Sequence, residues 1–78
     1  MSQEPAFKHG ACAIKQQLIE ELQRNHSALA LLGSRELEAV VSGDWQADES
    51  LAMERRVLQS HRATIVKRFR EHVAEHGC

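Results

Sequence analysis

The sequence predicts an all-α fold, an antiparallel hairpin of two long helices that associates into a four-helix bundle. Three observations carry this expectation. No proline follows Pro5, so no residue of that kind interrupts a helix over the rest of the chain. Two stretches, 11–42 and 47–76, keep apolar residues at helical spacing, and the breaker cluster Ser42-Gly43-Asp44 separates them. Two helices of similar length with a short connection fold back on each other, which sets the chain ends side by side.

Residues 1–9 read as a loose tail ahead of the first helix. In 11–42, Ile14, Leu18, Leu22, Leu29, Leu32 (or Gly33), Leu37 and Val40 fall on one helical stripe, with Asn25 and His26 in its gap. Gly33-Ser34 marks a place for a bend or break, because glycine costs about 1 kcal/mol inside a helix and serine is a good N-cap. Three helices, 11–32, 35–42 and 47–76, are therefore the alternative to one. Residues 43–46 form the turn, where Asp44 is suited to cap the second helix and Asp48 and Glu49 suit the positive end of its dipole. In 47–76 the main stripe is Leu51, Leu58, Ile65 and Phe69, flanked by Val57, Val66 and Val73. Glu54 and His61 fall in the seam, level with Asn25 and His26 if Gly43 is the apex, and such a polar layer would fix register. Trp45, the single tryptophan, either covers the end of the core or anchors a partner.

A chain of 78 residues builds one helical domain with a core that is marginal without a partner, a metal or a disulfide. Each helix of a hairpin hides one stripe against the other, so a homodimer is the default expectation. The bundle core would then comprise Leu18, Leu22, Leu29, Leu58, Ile65 and Phe69. The net charge of −1 and a pI near 6.5 do not indicate attraction to nucleic acid or acidic lipid. Residues 1–50 hold eight acids against four bases, and residues 51–78 six bases against three acids. An acidic first helix and a basic second one complement each other across the hairpin. The sharper reading gives a protein partner the face of Arg55, Arg62, Lys67 and Arg70, together with Trp45. No run reaches the roughly 18 apolar residues of a membrane span, and Met1-Ser2-Gln3-Glu4-Pro5 lacks a signal-peptide pattern, so a cytoplasmic protein with no membrane contact is expected.

Chemistry is sparse. His72 and His76 stand four apart on one helical face, and the hairpin brings His9, Cys12 and Cys78 towards them. Nitrogen and sulfur ligands of this kind suit zinc, so a metal-binding or metal-sensing protein is the rival expectation, although no close Cys-x-x-Cys pair is present. A Cys12 to Cys78 disulfide is not favoured in a reducing compartment. His72-Val73-Ala74-Glu75-His76 matches the string of inverted zinc metalloproteases, but such an enzyme needs a further ligand and a cleft. No Glu-x-x-His of a di-iron bundle, phosphate-binding glycine loop or nucleophile elbow occurs. No catalytic residue is assigned, and no cofactor beyond the zinc alternative.

The segment Leu32 to Trp45 faintly resembles a bacterial repressor helix-turn-helix, but its spacing is about two residues too long and Glu36 and Glu38 oppose a phosphate-lined groove. Gly43-Asp44-Trp45 leading into Leu51, Glu54 and Arg55-Arg56 is similar to the helical hairpins of flagellar export chaperones of the FliT type. That likeness, confined to Ala39 to Arg56, implies binding of an amphipathic partner helix and assigns no family. In architecture alone the chain resembles the RNA-binding hairpin dimer Rop, which implies nucleic-acid binding along the second helix as a further alternative. The functional expectation is a non-enzymatic interaction module, a small adaptor, chaperone or regulator.

Overall fold

Good helix formers begin directly after Pro5, and the computed structural model, which describes residues 6–77 with side chains from residue 13 onward, has helix α1 at Ala6–Ser42. The helix thus takes in residues 6–9, where the sequence suggests a tail; residues 1–5 lie outside the described residues. Gly10 does not stop it, because one glycine costs about 1 kcal/mol against propagation on both sides.

α1 also runs through Gly33-Ser34 unbroken, which removes the three-helix alternative. Leu32 and Ala39 are buried on either side of the glycine and hold both halves against the second helix. Burying a leucine contributes about 2 kcal/mol, more than the glycine costs.

The turn is shorter than 43–46. Gly43 takes the left-handed conformation at φ +74°, its N–H donates to Val40 O at 3.1 Å, and the Asp44 N–H donates to Ala39 O at 2.8 Å. This pair of bonds is a Schellman motif, satisfying the last carbonyls of α1. Asp44 then serves as the N-cap of α2, Trp45–His76, with its Oδ1 accepting from the Ala47 N–H at 3.1 Å. Because Asp44 is the cap, α2 starts at Trp45 rather than at 47. Gly77 closes α2 in the left-handed conformation, its N–H donating to Val73 O at 2.8 Å.

The two helices pack along one seam with a seven-residue repeat. Leu18, Asn25, Leu32 and Ala39 are the buried positions of α1; Leu51, Leu58, Ile65 and His72 face them from α2. Among the described residues only Leu18, Leu32, Ala39 and Ile65 are buried apolar side chains, and Ile65 is fully enclosed at 0 % exposure. Leu22, Leu29, Leu58 and Phe69 are half-buried. Ile14, Leu37, Val40 and Val57 do not join the core: they are exposed, because a helix with one neighbour covers one stripe and these positions lie off it. With extents of 57 × 22 × 11 Å the hairpin is a slab with two broad faces. No strand occurs among the described residues, and no helix there is long and apolar enough to cross a membrane.

Candidate functional site

Four residues on from each seam position lies one broad face, the front; three residues on lies the other, the back. On the front, α1 contributes Lys15, Leu22, Leu29 and Glu36, and α2 contributes Arg55, Arg62 and Phe69. Contacts across the helices confirm the pairing. Lys15 Nζ lies 6.0 Å from the Phe69 ring centre, Leu22 and His26 share a groove with Arg62, and Glu36 holds Arg55. Ile19, Val66 and Val73 add apolar surface at the edge of the front, whereas Leu37 and Val41 are exposed on the side of α1 away from the seam.

The back is built from Glu21, Ala28, Arg35 and Ser42 of α1 with Ala47, Glu54, His61, Arg68 and Glu75 of α2. Its grooves are lined by charged and polar groups, among them Arg24, Glu38 and Glu71, together with Ile14, Leu51 and Leu58.

Glu36 and Arg55 form the one ion pair between the helices among the described residues. Arg55 Nε lies 3.0 Å from each carboxylate oxygen, and Nη2 also donates to Oε1. The hydrogen bonds from Arg55, followed by its charge, hold the Glu36 carboxyl below the usual carboxylate range, and the same bonds raise the guanidinium. Sequence reading places Arg55 on a partner-binding face; here it is occupied within the chain. The signal for the pair was opposite charges about two turns before and three turns after the apex.

The other expected partner residues do not form one patch. Trp45 is 64 % exposed at the turn, and Arg62 stands on the front face. Lys67 and Arg70 are exposed on the side of α2 away from the seam, and Arg70 lies 25 residues from Trp45, about 37 Å along the helix.

The polar layer takes a different form from the one the sequence suggests. Asn25 alone is buried, at 4 % exposure, and its Nδ2 donates to Leu58 O at 2.9 Å, which pins the helices at that level. His26, Glu54 and His61 are exposed, since the α2 seam is Leu51, Leu58, Ile65, His72 and positions 54 and 61 fall on the back face. The missed seam residue is His72, 8 % exposed, with an Nε2 that makes no hydrogen bond. Continuing the seven-residue step from Ile65 would have found it.

His72 and His76 do come together, with ring centres 4.7 Å apart. Cys78 and the side chains of His9 and Cys12, the other members of the expected metal cluster, lie outside the described residues. Among the described residues no group of three or more His, Cys, Asp or Glu side chains is arranged to hold a metal ion. The geometry therefore offers surfaces: a front and a back that each mix apolar with charged side chains, and an aromatic tip. No protein-family model, curated protein or solved structure matches the chain, so its functional reading stands on these surfaces.

Proposed function

We propose that the chain is a non-enzymatic helical interaction module, a small adaptor, chaperone or regulatory protein of the cytoplasm, that pairs with itself as a four-helix bundle and binds a protein partner through helix faces. The half-covered row of Leu22, Leu29, Val66 and Phe69 on one broad face is the observation that supports this reading most. Apolar surface is worth about 25 cal/mol per Å² when removed from water, and the hairpin by itself covers this row only in part. A second hairpin laid on it completes a bundle core of Leu18, Leu22, Leu29, Leu58, Ile65 and Phe69. Trp45, Lys67 and Arg70 then remain outside for a partner, with Arg62 at the dimer face and Arg55 retained by Glu36.

Native mass spectrometry of the reduced full chain, with and without chelator, tests this directly. A metal-free dimer is expected; a monomer at all concentrations overturns the bundle. The His72–His76 pair favours one second reading, a zinc site completed by His9, Cys12 and Cys78. It requires stoichiometric zinc that chelator removes and that His72→Ala and His76→Ala abolish.

A further inference from the structure

Resting on the reading of the chain as a module that binds a protein partner, we propose that this partner presents an acidic segment that lies along the outer side of α2, turned away from α1. Arg56, Lys67 and Arg70 hold its carboxylates, and Met53 and Val57 take an apolar side chain set among them.

All six arginines and lysines of α2 fall in residues 55–70, and no Asp or Glu interrupts them. The α2 positions opposite the seam over this stretch are Met53, Arg56, Ser60, Ala63, Lys67 and Arg70, and every one is exposed. They stand alternately three and four residues apart and so form one stripe, about 25 Å long. Val57, 68 % exposed, borders it near Met53, which is 66 % exposed.

The bases of the stripe are not used within the hairpin. Among the described residues Arg56, Lys67 and Arg70 make no ion pair, whereas Arg55 is held by Glu36. Of the residues three or four away from them along α2, one is an acid, Glu71 on the turn after Lys67. Elsewhere the signs mix or charge is scarce. Glu36 meets Arg55 on the front, and the back carries Glu21 and Glu54 with Arg35 and Arg68. The outer side of α1 carries one charge from residue 13 onward, Glu20. The stripe is therefore the surface of a single sign, and its complement is negative.

Its ends set the kind of partner. Asp48, Glu49 and Glu54 precede the run of bases and Glu71 and Glu75 follow it, so a nucleic-acid backbone, charged at every phosphate, meets repulsion at both ends. A short protein segment places carboxylates only against the bases, and its apolar side chains cover Met53 and Val57, which a phosphate backbone leaves in water.

Fluorescence anisotropy of the reduced full chain tests this with a labelled peptide of glutamate, leucine and alanine, about 17 residues long to match the stripe as a helix. A short RNA duplex is the second probe. The peptide should bind more tightly than the duplex at ~50 mM salt, and its Kd should rise at least about fivefold by ~300 mM. Arg56→Gln with Arg70→Gln should raise that Kd at least about tenfold, while Arg24→Gln with Arg35→Gln, which removes the same charge from the back, should leave it within about twofold. Glutamine is close to arginine in helix propensity, and circular dichroism checks that both variants keep their helix. No binding of the peptide, a tighter grip on the duplex, or equal losses in the two variants overturns the acidic partner. Native mass spectrometry of the same samples keeps the parent reading separate. A dimer that ignores the peptide overturns this partner alone, whereas a monomer that binds neither probe overturns the interaction module as well.

Discussion

The front and back faces of the hairpin flank the same seam, and they differ by one step around each helix. Four residues on from the seam the chain carries Leu22, Leu29 and Phe69; three residues on it carries Glu21, Arg35, His61 and Arg68. The back carries mostly polar and charged side chains with the half-exposed Ile14 among them, whereas the front carries Leu22, Leu29, Val66 and Phe69, each partly covered. The contrast lies in the asymmetry about the seam rather than in total hydrophobicity. It also separates the front's two polar elements: Glu36 and Arg55 satisfy each other within the chain, whereas His26 and Arg62 share a groove without an acid.

The largest expected effect removes what both faces share. Ile65→Ala empties the enclosed centre of the seam and should destabilise the hairpin by about 3 kcal/mol, seen as a lower urea midpoint with both faces lost together. Leu29→Glu tests the faces against each other. It should weaken self-association by at least about 100-fold in sedimentation equilibrium, while Arg24→Gln on the back should leave Kd within about twofold. Equal effects would end the distinction between the faces.

Asp44→Ala acts at the turn, outside either face, and should cost about 1 kcal/mol in thermal unfolding through loss of the α2 N-cap, without changing the subunit count. Smallest is the acid dependence of the Glu36–Arg55 pair. The Glu36 carboxyl is lowered in the folded chain, so the unfolded chain binds more protons in acid. Its contribution is fully present above the ordinary carboxylate range and is lost as pH falls through the lowered value. Urea midpoints followed from neutral pH into acid should decline less steeply in Glu36→Gln.

Much of the fold is legible in single residues. Gly43 and Asp44 mark the turn because glycine takes the left-handed conformation freely and an aspartate oxygen can reach the N–H three residues on. Gly33 misleads because its local cost, about 1 kcal/mol, is visible in sequence, while the burial of Leu32 and Ala39 that overrides it is not. The seam is legible to within one helical step, and that step matters: Phe69, Glu54 and His61 read as seam positions, whereas His72 takes the place and the other three move to the flanks. Of the expected site residues, Arg62, Lys67 and Arg70 stand exposed but dispersed over separate sides of the molecule, and Trp45, which the sequence also allows as cover for the end of the core, is 64 % exposed instead.

By itself the sequence determined that the chain is helical, that it turns at Gly43 and that Asp44 caps the second helix, because these depend on propensity and on bonds reaching a few residues along the chain. Tertiary structure alone decided that Asn25 and His72 lie inside, that Glu36 takes Arg55, and that Leu22, Leu29 and Phe69 lie beside the seam, partly covered. Those outcomes turn on how far each helix is rotated about its own axis against the other, and at 100° per residue a single step separates a buried position from a wet one.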